Sequence, residues 1–276
     1  MNFMLLLFFI TNVLSLRNKK LSIVLLTHPK KRPELTRTMQ DIIEAIKNCP
    51  KELLIDEMVF VKGCIYGCQH DELERSIKEF EKNFPNIKIT VPNFTPKEDD
   101  VYMSKEWSKD FYESLRQDIQ VASFTYPSYI KHMTVNFYFL SSAEYIYNKN
   151  TTDFVLFIED DVIYDKNTFS IILNLMYQND DEKYIYSKIS NNQNIREFRG
   201  MRKGIISCRP DYPYRAGFYG VLRSMEQLRI FIVHMKFSGH SECGDTISET
   251  LCTASSKSIS LFEISRHFGH DPQIPK

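Results

Sequence analysis

The most constraining part of the sequence is the stretch of residues 153–162, in which an apolar run ends on three consecutive carboxylates. Residues 154–158 are aromatic, β-branched or leucine with no helical spacing, a pattern that predicts a buried strand. In an open α/β sheet, ligands bind just beyond the carboxyl ends of the strands. Glu159, Asp160 and Asp161 therefore predict a site for a hard divalent cation, which prefers oxygen ligands, at a strand end.

Strand and helix patterns alternate along the rest of the chain. Strands are predicted at residues 21–26, 58–61, 87–91, 204–207, 217–222 and 259–264. Helices are predicted from residue 33 and over residues 73–84, 127–147, 169–176, 228–235 and 243–252, with another around Trp107 and a polar loop over 188–202. Asp165 or Asn167 is expected to cap the helix over 169–176. The alternation predicts an α/β fold in which helices sandwich a mostly parallel sheet within a single domain.

The charge balance argues against one class of partner. The chain of 276 residues carries 35 Lys and Arg against 35 Asp and Glu, so no net charge favours binding to nucleic acid. We therefore expect no nucleic-acid partner.

The N-terminus predicts entry into the secretory pathway. Residues 3–16 are almost wholly apolar, but this run is shorter than the roughly 20 residues that a membrane-spanning helix needs. Residues 1–16 are interpreted as a cleaved signal peptide, with a short signal-anchor or a first core strand as the alternatives. Membrane contact is expected only through this leader, if it stays uncleaved.

Two further features agree with an oxidising compartment. Asn93-Phe94-Thr95 and Asn150-Thr151-Thr152 are glycosylation sequons in apparent loops. The 6 cysteines are an even number that is compatible with disulfides, although their pairing cannot be deduced. Cys64 and Cys68 lack a second pair with zinc-ligand spacing, so a zinc site is not predicted.

The acidic triplet has two interpretations. If the chain transfers a group from a nucleotide sugar, the departing diphosphate needs a divalent cation that carboxylates hold. Asp161 would then be the direct metal ligand with Glu159 beside it, and Glu159 and Asp160 would hold water, ribose or base. The alternative is a solvated acidic turn before a helix. The apolar strand favours a cation, because crowded like charges repel unless neutralised.

Three other groups are candidates for the same chemistry. Lys31 and Arg32 follow the first strand, where they can reach nucleotide phosphates, although a surface basic turn explains them as well. Asp245 and Glu249 are four residues apart, so either is a candidate general base if that segment is helical; a solvated helix face is the alternative.

The third group lies near the C-terminus. His267 follows a predicted strand and is a candidate to complete the metal site or to contact a diphosphate. Gly269 would let the backbone approach closely.

Several segments, taken in order, resemble the N-acetylglucosaminyltransferase IV family of GT-A glycosyltransferases. These segments are residues 22–25 with Lys31-Arg32, residues 135–140, 157–161, 217–222, 242–245, 261–262 and 267–269. Their order and approximate spacing match from residue 21 to the end of the chain.

The resemblance implies a GT-A-like domain over residues 21–276, a UDP-GlcNAc donor, and Mn²⁺ or Mg²⁺. It further implies inverting transfer to a glycan or glycoprotein acceptor, with Golgi-lumenal or secreted localisation. By position, Asp161 resembles the metal ligand, Asp245 the acceptor-activating base and His267 the pocket histidine. A sister group with a similar acidic motif, the GPI-glycan N-acetylgalactosaminyltransferases, is one alternative. A non-catalytic glycan- or nucleotide-sugar-binding protein is another, and a secreted calcium-binding domain is a third.

Overall fold

A computed structural model of the protein describes residues 18–27, 33–63, 70–94, 126–160, 162–178, 185–189, 205–206, 216–237, 258–260 and 265–267. The strands in these ranges are β1 (Lys19–Thr27), β2 (Leu53–Lys62), β3 (Lys88–Thr90), β4 (Phe154–Glu159), β5 (Val162–Tyr164), β6 (Ile185–Ile189), β7 (Ile205–Ile206), β8 (Ala216–Ser224), β9 (Ser258–Ser260) and β10 (Ser265–His267). The helices are α1 (Pro33–Lys47), α2 (Asp71–Asn83), α3 (Tyr126–Lys149), α4 (Thr168–Gln178) and α5 (Met225–Phe237).

The main sheet has eight strands in the order β3-β2-β1-β4-β8-β6-β9-β7. Strands β3, β2, β1 and β4 are parallel neighbours, and β8 then runs antiparallel to both β4 and β6. The expected α/β fold with parallel strands is therefore confirmed in the half of the sheet that contains the acidic strand β4. The other half is mixed.

The side chains of β1 alternate between two cores because the strand is buried on both faces. Leu21, Ile23 and Leu25 join a core that includes apolar residues of α1, α2 and α4. Val24 and Leu26 join a second core with apolar residues of α3 and α5. The helices thus cover both faces of the parallel half, as the sequence predicts.

The helix α1 illustrates how the sequence sets this packing. Its apolar residues recur at helical spacing and are all buried against the sheet: Leu35, Met39, Ile42, Ile43 and Ile46. Because α1 connects two parallel neighbours, it runs back across the sheet and places its first turns near the carboxyl end of β1. This geometry brings α1 to the edge of the sheet where a ligand is expected.

A polar cluster interrupts the second core. The carboxylate of Glu57 in β2 is fully buried and accepts hydrogen bonds from Lys149 of α3 at 2.5 Å, from Tyr145 at 3.1 Å and from Thr90 of β3. Lys88 adds an ion pair at 3.5 Å. The cluster therefore ties the edge strand β3 and its neighbour β2 to the last turns of α3.

Three elements differ from the sequence-based expectation. The strand β6 occupies residues 185–189 and overlaps the start of the predicted polar loop. The strands β5 and β10, each of three residues, form a separate two-stranded sheet. The expected helices around Trp107 and over residues 243–252 lie outside the described residues.

The structure bears on the secretion-related features only in part. Asn150 is exposed and has a φ of 49°, while Thr152 of the same sequon is buried. Asn93 is also exposed. Cys49 is not in a disulfide, and the other cysteines and the leader lie outside the described residues. Within the described ranges, no helix is both long and apolar enough to cross a membrane.

Candidate active site

The candidate site lies at one edge of the main sheet, where the carboxyl ends of β1, β2 and β4 meet. Leu26 pairs with Glu159 on one side and with Val61 on the other, so Thr27, Lys62 and Glu159 end their strands at the same level. The antiparallel strand β8 begins at this edge, and β6, which is parallel to β4, ends there. The sequence-based expectation that the acids follow a buried strand at such an edge agrees with this arrangement.

Residues 159–161 are here called the acidic turn; Glu159 is the last residue of β4, and Asp160 follows it. Glu159 is partly exposed and Asp160 is buried, with 1% of its surface exposed. Asp161 lies outside the described residues, although both of its chain neighbours are described. The end of β4 thus carries one partly exposed carboxylate, that of Glu159, and the carboxylate directly after it is buried.

Helix α1 makes two hydrogen bonds to the backbone around the acidic turn. The hydroxyl of Thr38 donates to the carbonyl oxygen of Asp160 at 3.1 Å. The backbone N–H of Tyr164 donates to the carboxylate of Asp41 at 3.4 Å. Burial raises the pKa of the Asp41 carboxyl above its ordinary value, and the hydrogen bond from Tyr164 and the charge of Arg37 only partly offset this. Sequence analysis did not single out Thr38 or Asp41, because nothing in their spacing distinguishes them from other polar residues of an amphipathic helix.

The short strand β5 pairs antiparallel with β10, and His267 is opposite Val162 in this pairing. Val162 is the residue that follows Asp161. The backbone therefore brings the position of His267 next to the acidic turn, as a shared site requires. No sequence signal could have identified this pairing, because Ser265-Arg266-His267 contains no apolar residue.

Basic residues lie at the same edge. Lys62 ends β2 and pairs with Glu74 at 3.3 Å. His70 precedes α2, and burial together with the charge of Lys62 lowers the pKa of its imidazole. Lys31 and Arg32 lie outside the described residues, between the end of β1 and the start of α1. Among the described residues, Lys62 thus places one positive charge at this edge, on the strand two positions from β4, and Glu74 partly offsets it.

Three further predicted site residues lie outside the ranges that the structure describes. Asp245 and Glu249 lie outside the described residues, between α5 and β9, and Gly269 lies outside them after β10. Within the ranges that the structure describes, no group of three or more His, Cys, Asp and Glu is arranged to hold a metal ion. The roles predicted for these residues stay predictions.

Comparison with known proteins adds evidence on the fold. No protein-family model matches the sequence, and a comparison with curated proteins finds no match. Among solved structures, the mannosyltransferase Ktr4p from S. cerevisiae in complex with GDP is similar, with a TM-score of 0.51 and 12% identity over 95% of this chain and 75% of that chain.

Two further structures are similar at a TM-score of 0.46 each. One is the galactosyltransferase LgtC in complex with donor and acceptor sugar analogues, at 12% identity over 87% of this chain and 72% of that chain. The other is S. aureus TarS 1–349, at 11% identity over 89% of this chain and 59% of that chain. These two are too distant to carry an argument, whereas the likeness to Ktr4p shows a shared fold. The chain has the GT-A-like α/β fold that its sequence predicts.

Proposed function

We propose that this protein is a metal-dependent inverting glycosyltransferase that moves GlcNAc from UDP-GlcNAc to a glycan or glycoprotein acceptor, in the manner of N-acetylglucosaminyltransferase IV. The observation that carries the proposal is the acidic turn at the carboxyl end of β4, in the middle of the sheet and beside the end of β1. Ligands of open α/β sheets bind at this kind of edge.

The chemistry of the available donors fits a hard divalent cation. Glu159 is a partly exposed carboxylate at the edge, Asp161 follows within two residues, and β10 brings the position of His267 alongside. Carboxylate oxygens are the ligands that Mn²⁺ and Mg²⁺ prefer, and imidazole is acceptable to Mn²⁺. In this proposal Asp161 and Glu159 hold the cation; Asp160, predicted from the sequence to contact the nucleotide, is buried and is given no direct contact with it. When bound, the cation stabilises the negative charge of the departing diphosphate.

The protein's own residues then carry the transfer. A carboxylate, assigned to Asp245 with Glu249 as the alternative, accepts the proton of the acceptor hydroxyl. The hydroxyl oxygen forms a bond to the anomeric carbon from the face opposite the diphosphate, and the bond from that carbon to the diphosphate oxygen breaks. UDP leaves with the electron pair, so the configuration is inverted. Lys31, Arg32 and the Gly269 backbone are assigned to the diphosphate.

The fold supports this class of reaction. Ktr4p, which shares the fold, is a mannosyltransferase in complex with GDP. A nucleotide-sugar donor follows for this chain by analogy, but the base and the sugar do not. The assignment to UDP-GlcNAc rests on the sequence resemblance, so the test compares UDP and GDP donors directly.

The first test is calorimetric binding of UDP, UDP-GlcNAc and GDP-mannose with and without Mn²⁺. We expect Mn²⁺-dependent binding of the UDP ligands by the wild-type protein and loss of that binding in Asp161→Asn. The matched control is Asp165→Asn, because Asp165 is an exposed aspartate directly after β5 whose carboxylate accepts a local backbone N–H, from Asn167, at 2.8 Å. This control variant should bind as the wild type does.

Each other outcome has a definite meaning. Binding of GDP-mannose in preference to UDP-GlcNAc would replace the donor and keep the class of enzyme. Binding without turnover across glycan acceptors would instead identify a nucleotide-sugar-binding protein. The absence of all nucleotide binding would refute the glycosyltransferase proposal.

We further propose that the protein functions in the lumen of the secretory pathway, with residues 1–16 as its leader. The apolar N-terminal run and the exposed asparagines of two sequons support this. Expression in mammalian cells with and without endoglycosidase treatment tests it. A mobility shift that disappears in the double variant Asn93→Gln, Asn150→Gln is expected, and exclusively cytosolic, unmodified protein would contradict it.

A further inference from the structure

Helix α1 contacts the chain on both sides of Asp161. Thr38 donates its hydroxyl to the carbonyl oxygen of Asp160 at 3.1 Å, one residue before Asp161. Asp41 accepts the N–H of Tyr164 at 3.4 Å, three residues after it. Thr38 and Asp41 are three residues apart and therefore share one face of the helix. The connection from β4 to β5 is thus held at two points by one rigid element.

Apolar burial also holds this helix against the sheet. The five residues of α1 that are buried there are Leu35, Met39, Ile42, Ile43 and Ile46. Thr38 is completely buried, and its hydroxyl points to the acidic turn rather than to solvent. Asp160 directly follows β4, so the hydrogen bond from Thr38 contacts the backbone at the point where the chain leaves the strand.

We infer that Thr38 and Asp41 are positioning residues that set the conformation of the acidic turn and thereby the affinity of the site for its divalent cation. This inference rests on the proposed function. Groups that orient metal ligands from outside the coordination sphere commonly change metal affinity by about 10- to 100-fold when they are removed. A valine at position 38 keeps the shape of threonine but removes the donor to the Asp160 carbonyl.

The helix offers a matched control. Thr36 is two residues before Thr38, is exposed, and donates its hydroxyl to Glu72 of α2 at 2.7 Å, away from the acidic turn. The substitutions Thr36→Val and Thr38→Val are chemically identical and lie in the same turn of the same helix. Any general effect of valine on the helix is therefore shared by both variants.

The experiment measures Mn²⁺ binding to the full chain by electron paramagnetic resonance at saturating UDP, with thermal unfolding recorded in parallel. We expect Thr38→Val to weaken Mn²⁺ binding by about tenfold, with Thr38→Ser, which restores a hydroxyl, and Thr36→Val both within twofold of the wild type. For Asp41, we expect Asp41→Ala to weaken Mn²⁺ binding and Asp41→Asn, which keeps an acceptor oxygen for Tyr164, to restore it.

The outcomes separate this inference from the proposed function. If the wild type does not bind Mn²⁺ with UDP, the proposed function fails. If the wild type binds and folded Thr38→Val binds equally well, the positioning role is refuted while the proposed function stands. If Thr38→Val does not fold, Asp41→Ala and Asp41→Asn decide the question by the same readout: equal Mn²⁺ binding by both folded variants would refute the positioning role.

Discussion

The carboxylate of Glu57 lies 2.5 Å from the Nζ of Lys149, joining the middle of β2 to the last turn of α3. Glu57 is fully buried, whereas Lys149 keeps 24% of its side chain exposed. A carboxylate in such a position is expensive to bury unless it is paired and hydrogen-bonded. Tyr145, Thr90 and Lys88 supply the additional partners that it needs.

Replacing Lys149 by methionine should destabilise the protein. The substitution keeps the length of the side chain but removes the closest cationic partner of a buried carboxylate. We expect the free energy of unfolding to fall by about 2–3 kcal/mol. The loss is smaller than for a buried carboxylate left with no cation, because Lys88 still pairs with Glu57. Urea unfolding measures the change, and Lys78→Met, at an exposed position of α2, is the control. A loss for Lys149→Met no larger than that of the control would contradict the structural role of the pair.

The same pair predicts a pH dependence of stability. Burial raises the pKa of Glu57, but hydrogen bonds from Lys149 and Thr90 and the charges of both lysines outweigh it, so the net pKa is lowered. The folded state therefore binds this proton more weakly than the unfolded chain does. The stabilisation is present above the unfolded pKa of about 4.3 and is lost as pH falls through the folded pKa.

The measurement is the free energy of unfolding between about pH 3 and pH 6 for the wild type and Glu57→Gln. In Glu57→Gln the free energy of unfolding should fall less steeply than in the wild type as the pH is lowered. Burial lowers the pKa of Lys149, but its hydrogen bond to Glu57 outweighs this and the net pKa is raised. The stabilisation from Lys149 is therefore fully present below the pKa of lysine in the unfolded chain and is lost as pH rises through the folded pKa. Identical acid-side slopes in the two proteins would contradict the assignment.

Gly63 should not tolerate a side chain. Its N–H donates to the Thr27 carbonyl oxygen at 3.0 Å, and a Cβ at this position would lie 2.6 Å from the same oxygen. The oxygen belongs to the backbone at the end of β1, so it cannot rotate away as a side chain could. The ends of β1 and β2 must therefore move apart to accept alanine. We expect Gly63→Ala to cost about 1–3 kcal/mol in urea unfolding. Lys51→Ala, in an exposed turn, should be near neutral, and equal stability of both variants would refute the close approach.

Replacing Asn150 by alanine should destabilise the protein, whereas replacing it by glycine should not. Its φ of 49° is left-handed, and its N–H donates to the Ile146 carbonyl at 3.1 Å, closing the end of α3. Alanine should destabilise the protein by about 1 kcal/mol, and glycine should be neutral or better. Asn148→Ala, two residues earlier within the helix, is the control for thermal unfolding. A neutral Asn150→Ala variant would show that the helix end does not depend on this conformation.

Asp245→Asn should separate binding from catalysis. If Asp245 is the base, the variant binds UDP-GlcNAc and Mn²⁺ with unchanged affinity but loses turnover by at least about 100-fold, since an amide cannot accept the proton. Calorimetry and a transfer assay measure the two properties on one preparation. A fully active variant would assign the role to Glu249 or to another group.

The sequence alone predicted the strands and helices whose buried residues follow a regular local pattern. The strands β1 and β4 and residues 58–61 of β2 are apolar runs buried on both faces, and α1 carries its apolar residues at helical spacing. Both patterns can be recognised in a short window of sequence. The position of the acidic turn followed from the same signal, because a strand that ends on acids places them at the sheet edge.

Elements that depend on distant partners could not be predicted. The strand β6 contains Lys188 and follows a polar stretch, and it forms because β8 and β9 pair with it. The strand β10 has no apolar residue and depends on β5. The hydroxyl of Thr38 likewise became informative only when folding placed it beside Asp160. Such contacts are set by tertiary context and not by propensity.

The pairing of β1 with β4 also determines when the protein can complete its sheet. The N–H of Lys20 donates to the carboxylate of Asp153 across 133 residues of chain. During synthesis β1 can pair with β2 soon after both emerge, but its other edge stays unpaired until β4 (Phe154–Glu159), far beyond the end of β2 at Lys62, has been made. Closing so long a loop is slow, and an unpaired apolar strand edge is prone to aggregation meanwhile. The nascent chain is therefore expected to depend on chaperones until β4 has been synthesised and paired with β1. The edge of the sheet that carries the candidate site can form only after that step.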